Sequence, residues 1–392
     1  STVLAAPGVV PVDAAFEFGV AQYAGLHGAS IEFAADQWRW IAARGDEYVR
    51  AACNVSTESQ LLMAAADGAD WLAQAARDRR AEETTPGEEH VALSDLAAQV
   101  AEDADVAAVD AAVALYGRFA CVAPHAPSPT NPTMLRPFAA SEVASATTKF
   151  ADTGVAVLDD VLTPDVLDAL RDFVLGSTIF TRTYVQGYLG AFLSDGFGAS
   201  PLVHAVCDAL RNAVPELLGD ADLRQAWAYV YARRADNAAN VSHPRGIDAH
   251  ADDADVSANV WITPDAANLA PGLGGLVIYD ARPPGDWSFG KANHDTRAIE
   301  AFLHEHHHNH DEHHHHRRVP EGRDALEPSR LGPPQGSTAT VVPYKCNRLT
   351  LLDGYRFHRT DELRFRPDFE GHRINLTFLF RTRRASGRRF VG

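Results

Sequence analysis

The chain has 392 residues, 46% hydrophobic and 22% charged, and 35 Lys and Arg against 52 Asp and Glu leave a net charge of −17. This is the composition of a globular protein with room for two or three cores, at roughly 100–200 residues per domain. The acidic surplus disfavours nucleic acid and anionic membranes as partners.

The first 120 residues are Ala-rich and read as helices. Apolar residues recur at helical spacing over 33–51 (Phe33, Trp38, Trp40, Ile41, Val49) and over 56–77 (Leu61, Leu62, Ala66, Trp71, Leu72). Two more helices are predicted over 91–101 and 106–119. No stretch approaches the roughly 18 apolar residues of a transmembrane helix. Ser1 to Val12 lacks the basic and then apolar layout of a secretory signal. The four cysteines, Cys53, Cys121, Cys207 and Cys346, are scattered without a CxxC pair. In a chain of this size that spacing suggests free thiols in a soluble protein of a reducing compartment: the cytoplasm, or an organelle if a targeting peptide preceded Ser1.

Prolines at 124, 127, 129 and 132 exclude regular structure and mark a linker. The expected division is an α-helical domain over 1–122, a Pro-rich linker over 123–135, and a third part over 136–392. Within this third part, 154–158 reads as a short strand. Thr163-Pro164-Asp165 starts a helix with Pro in its first turn, and another helix runs over 201–213. From Ala226 onward short alternating runs dominate: 226–232, 256–262, 275–279, 338–344, 348–352 and 373–381. Such strands, separated by Gly, Pro and Asp turns, predict an α+β chain whose C-terminal part is a jelly-roll, or double-stranded β-helix, with supporting helices. A helix predicted over 295–303 leads into 304–316, which holds nine of the 18 histidines. That tract reads as a low-complexity insertion whose imidazoles can take up divalent metal incidentally.

The residues with chemistry are His250-Ala251-Asp252, His358 and Arg373. Side chains two apart on a strand share a face, so His250 and Asp252 can reach one ion. His358, after a strand and the Asp353-Gly354 turn, completes two imidazoles and a carboxylate, a donor set that suits iron(II) and leaves positions open. Arg373 opens the last strand, and its planar guanidinium matches a carboxylate. Asn375 and Thr377 share its face. Tyr229 and Tyr231, on the first strand of the barrel, are secondary candidates for the same ligand. Asn259 and Trp261 are candidates for lining the pocket. Asp248, Asp253 and Asp255 read as solvated loop charges, and His243 and His372 as residues that bind no metal.

The order HxD, His, Arg across late strands resembles the 2-oxoglutarate/iron(II)-dependent oxygenase superfamily. The segments 258–269 and 274–280, with Pro343-Tyr344-Lys345-Cys346-Asn347-Arg348 and His358-Arg359-Thr360-Asp361, are similar to uncharacterised oxygenase domains often attached to tetratricopeptide repeats. The similarity spans roughly 248–381, about a third of the chain. It implies iron(II), 2-oxoglutarate and O2 as cofactor and co-substrates, with metal ligands at His250, Asp252 and His358 and the co-substrate arginine at Arg373. The intact carboxylate at Asp252 implies hydroxylation, with release of succinate and CO2; relatives that halogenate carry a small residue there. The substrate, a small molecule or a protein side chain, is not implied. The His-rich insertion departs from the family's pattern, and the N-terminal helices show no 34-residue repeat. Two alternatives stand beside this reading. One is a non-catalytic jelly-roll subunit acting through its helical domain, and the other is a His-rich metal-binding protein with an incidental barrel.

Overall fold

The computed structural model describes residues 28–53, 59–82, 96–100, 104–117, 120–123, 133–184, 187–231, 246–311, 339–382 and 390. Its N-terminal part is helical: α1 (Gly28–Ala42), α2 (Asp46–Ala52), α3 (Ser59–Glu82) and α4 (Val106–Leu115). The single helix expected over 33–51 is broken at Gly45, whose φ of 84° an L side chain rarely adopts. Ile31, Trp38 and Ile41 of α1 bury against Leu62, Ala66, Ala69 and Leu72 of α3. Asp105 caps α4 by accepting from the amides of Ala107 and Ala108. Most of the helix expected over 91–101, and the linker prolines, lie outside the described residues.

Cys53 and Cys121 form a disulfide, while Cys207 and Cys346 are free. This corrects the expectation of four free thiols and removes the premise for a reducing compartment. Sequence spacing hid the pair, because 68 residues separate two cysteines that a short antiparallel bridge brings together. No helix among the described residues is long and apolar enough to cross a membrane.

The remainder is built on two antiparallel sheets. The strands are β1 (Val155–Leu158), β2 (Arg182–Thr183), β3 (Leu189–Phe192), β4 (Ala221–Tyr231), β5 (Val256–Trp261), β6 (Leu276–Tyr279), β7 (Ala339–Val342), β8 (Leu349–Leu352), β9 (His358–Thr360) and β10 (Arg373–Thr382). The large sheet has the order β1-β8-β5-β10-β4-β3-β2 and the small one β7-β6-β9. The alternation read from the sequence divides the large sheet into two faces. Ala258, Val260, Leu351, Ala228, Val230, Ile374, Leu376 and Phe378 turn outward into the largest core. Helices α5 (Ala140–Thr153), α6 (Pro164–Gly176) and α7 (Pro201–Ala213) contribute Ala146, Leu170, Phe173, Val206 and Leu210 to it. On the other face Val155, Trp261 and Leu352 meet Leu276, Ile278 and Val342 of the small sheet. Helices α8 (Phe289–His294) and α9 (Thr296–Asp311) close the far side of the small sheet through Ala292, Ile299 and Leu303.

Helix α9 continues to Asp311, so the first part of the His-rich tract is helical rather than a low-complexity loop; 312–338 lie outside the described residues. The helical N-terminal part is docked on the sheets. Gln37 of α1 donates to the carbonyls of Leu175 (3.0 Å) and Ser177 (2.9 Å) at the end of α6. The Trp40 indole donates to Glu370 at 2.8 Å, and Phe33 packs edge-on against Phe180 and at a tilt against Phe369 and His372.

Candidate metal centre

His250 and Asp252 lie just before β5. They do not belong to a continuous strand: His250 makes an isolated antiparallel bridge with His358, and the chain then loops into β5. The two backbones exchange hydrogen bonds, His250 N to His358 O at 3.0 Å and His358 N to His250 O at 2.8 Å. That pairing places the two rings with their centroids 4.3 Å apart. Ala249 and Ala251 point the other way, into the core beneath α8 and α9. Two further bonds hold this segment from behind: Ala251 N donates to Ala292 O at 3.0 Å, and the Asn293 amide donates to Ala251 O at 2.9 Å.

The three side chains converge. Asp252 Oδ1 is 3.7 Å from His250 Nε2, and Asp252 Oδ2 is 3.5 Å from His358 Nε2. One ligand atom from each lies within 4.8 Å of the others, so the group could hold a metal ion. Both imidazoles are oriented by main-chain carbonyls, His250 Nδ1 to Asp248 O at 2.9 Å and His358 Nδ1 to Arg356 O at 3.0 Å. A carbonyl only accepts, so each Nδ1 carries the proton and each Nε2 lone pair faces the centre. Burial, reinforced by His358, lowers the His250 pKa to about 4, which keeps that ring neutral. Burial alone would raise Asp252, but His358, His250 and the Ser257 hydroxyl outweigh it and hold the carboxyl at about 2. His358 is raised against its own burial by Asp252. A buried carboxylate held ionised beside two imidazoles is the electrostatic setting in which a cation is favoured.

Arg373 opens β10 on the inner face, opposite Tyr231 of β4. It is 1% exposed. Its Nε donates to Gly274 O at 2.7 Å, and the guanidinium carbon lies 4.7 Å from the Tyr231 ring and 5.6 Å from the Trp261 ring. The Thr263 hydroxyl brackets its backbone, donating to His372 O at 2.7 Å and accepting from Ile374 N at 2.9 Å. Among the described residues neither Nη1 nor Nη2 has a hydrogen-bond partner of sound geometry. Burial pushes the Arg373 pKa down, while Tyr231, Tyr344 and Asp361 act against it.

Between the metal candidates and Arg373 runs a polar ladder on the same face. Asn375 donates to Asn259 Oδ1 (3.0 Å) and to the Thr377 hydroxyl (2.8 Å), and Thr377 donates to Asn259 Oδ1 (2.8 Å). Asn375 Oδ1 is left without a partner among the described residues. Tyr231 shares a hydrogen bond with Thr360 at 3.2 Å, which links the β4 wall to the strand that begins at His358. Tyr229 packs within a cluster of Tyr184, Tyr188 and Trp227.

The structure therefore brings together His250, Asp252 and His358, and lines one face with Arg373, Asn375, Tyr231 and Trp261. Asp253 and Asp255 are not free loop charges: the first pairs with Arg381 and the second accepts from Thr382 N and Oγ1. His243 lies outside the described residues, and His372 is buried against Phe33 away from the centre. Sequence reasoning missed Ser257, which donates to Asp252 Oδ2 at 2.7 Å. Its two-residue offset from Asn259 on the same strand was the available signal. Thr360, Thr263 and Asn293 were missed too, because their partners lie 42–129 residues away in sequence.

No family model matches the chain, and neither does any curated protein. Among solved structures the chain is similar to EctD from S. alaskensis with 2-oxoglutarate and 5-hydroxyectoine (14% identity, 64% of this chain and 81% of that one, TM-score 0.36). It is also similar to SnoK, a non-heme alpha ketoglutarate dependent carbocyclase from nogalamycin biosynthesis (8%, 64% and 87%, TM-score 0.37). A third is HygX from Streptomyces hygroscopicus with nickel, 2-oxoglutarate and hygromycin B (13%, 61% and 87%, TM-score 0.35).

Proposed function

We propose that the chain is an iron(II)- and 2-oxoglutarate-dependent oxygenase that hydroxylates a small molecule or a protein side chain. In this reading the two sheets are the large and small sheets of a double-stranded β-helix. The segments 1–122, 123–135 and 136–392 are helical brace, junction and oxygenase. His250 and His358 hold the metal through Nε2 and Asp252 through a carboxylate oxygen.

Arg373 carries this reading. A buried guanidinium with two unpartnered nitrogens costs several kcal/mol unless an anion completes it. It stands on the same face as a His/Asp/His group, with Asn259, Asn375 and Thr377 between. A dicarboxylate that chelates a metal at one end and meets a guanidinium at the other fits both needs. Tyr231 shields the charge pair with its ring, and Asn375 Oδ1 is a further polar group on the same face. Bound iron supplies dioxygen activation and C–H oxidation. The residues of the chain fix the co-substrate and keep bulk water away from it. With Asp252 in place as a ligand, hydroxylation is the outcome favoured over halogenation.

The test is 2-oxoglutarate binding to the full chain loaded with Mn(II), which does not turn over, followed by calorimetry. The wild type is expected to bind 2-oxoglutarate only when metal is present. Loss of a bidentate charged pair in Arg373→Ala is expected to weaken binding about 100-fold, with metal affinity unchanged. Metal-independent binding, or none at all, would contradict the proposal.

A further inference from the structure

The Asp252 carboxylate is held asymmetrically. Its Oδ2 accepts a 2.7 Å hydrogen bond from Ser257, a hydroxyl with no solvent exposure. Its Oδ1 lies 3.7 Å from His250 Nε2, while Oδ2, besides its bond to Ser257, lies 3.5 Å from His358 Nε2. The backbone is fixed at the same point: Asp252 N donates to Gly354 O at 2.7 Å. Gly354 in turn is the residue on which Ser257 rests. A Cβ added there would lie 2.8 Å from the Ser257 hydroxyl and 2.5 Å from Ala254 O. The absence of a side chain at 354 thus leaves Ser257 the space from which it reaches Asp252. The same turn leads directly into Phe357 and His358, so one packed unit governs both the carboxylate and the second imidazole.

Building on the metal-centre reading above, we propose that Ser257 is a positioning residue that makes Asp252 a monodentate ligand through Oδ1. A carboxylate is free to bind through one oxygen or both. Binding through both would take one more position on an octahedral ion and leave too few for a chelating 2-oxo acid together with dioxygen. A hydroxyl proton donated to Oδ2 withdraws that oxygen from the metal and fixes the plane of the carboxylate. Register provides the hydroxyl at the right place. Ser257, Asn259 and Trp261 alternate onto the inner face of β5, so the strand that aligns the co-substrate's path also sets the ligand at its start.

The experiment uses the full chain loaded with Co(II), whose visible absorption reports coordination number. The His250→Ala chain serves as the blank for cobalt held by the His-rich tract. 2-Oxoglutarate is then titrated in. Wild type is expected to show a centre-specific spectrum that changes on addition of 2-oxoglutarate. Ser257→Ala is expected to retain cobalt, to show a different starting spectrum as Oδ2 joins the metal, and to bind 2-oxoglutarate about 10-fold more weakly. Ser257→Thr keeps a hydroxyl donor at this position and is expected to return both readouts toward wild type, which separates loss of the donor from poor folding of the alanine variant. A merely structural role would lower thermal stability without altering the cobalt spectrum. A wild-type spectrum and wild-type 2-oxoglutarate affinity in Ser257→Ala, or an alanine-like spectrum in Ser257→Thr, would overturn the proposal. A wild-type chain with no spectrum beyond the blank would instead overturn the oxygenase reading itself.

Discussion

At the scale of residues, His250, Asp252, His358 and Arg373 stood out as candidates by their order along the chain, although His250 and Asp252 lie in the segment before β5 rather than on a strand. Their supports did not. Ser257 acts on Asp252 through a loop whose path is set by Gly354, and Thr263 brackets Arg373 from another part of the chain. His372 shows the same limit. In sequence it is only a histidine beside Arg373. In the structure it is packed against Phe33 and Phe369, and burial, partly opposed by Asp368, lowers its pKa to about 4. The unfolded chain takes up this proton near the ordinary histidine value, the folded chain only near 4. Its contribution to stability is thus intact above about 6.5 and is lost as pH falls toward 4, on the order of 3 kcal/mol in all. Thermal unfolding of wild type and His372→Leu between those pH values is expected to show a shallower acid slope in the variant. Parallel slopes would mean the ring is not held neutral by the fold.

At the scale of elements, periodicity located α3, α6, α7, β5 and β10 because each has a full apolar face to bury. It missed β3 and α8, short elements whose positions depend on neighbours: β3 pairs with β4, and α8 is fastened to Ala251. The disulfide belongs to the same class of long-range fact. It joins the end of α2 to the segment at Cys121, whose backbone bonds Thr178 next to α6, so it closes the helical part on itself where that part meets α6. Closing a separation of 68 residues is expected to stabilise the chain by about 4 kcal/mol through the unfolded state. Denaturant unfolding of Cys53→Ser should show that loss, and a thiol titration of the unfolded wild type should count two free groups; four would refute the pairing. Gly68 marks the closest approach of α3 to α4, where a Cβ would overlap the Ala108 carbonyl. Gly68→Ala is expected to cost roughly 1–3 kcal/mol in the same assay, and a neutral result would mean the helices stand further apart.

At the scale of the whole molecule, the α+β class and the order of helices before strands followed from composition shifts and alternation. What those signals could not convey is that the helical part braces the part built on the two sheets rather than standing alone. Phe33, Gln37 and Trp40 of α1 reach the end of α6 and the turn before Arg373. The His250, Asp252 and His358 group and the Arg373 guanidinium, whose two Nη atoms have no partner among the described residues, then stand on the same side of the large sheet. The most direct test of that joint arrangement is anaerobic addition of iron(II) and 2-oxoglutarate to the full chain, reading the visible charge-transfer band of the chelate. The band is expected in wild type, absent in His250→Ala and Asp252→Ala, and weaker in Arg373→Ala. Its absence in wild type at full iron loading, or its persistence in the two ligand variants, would contradict the assignment.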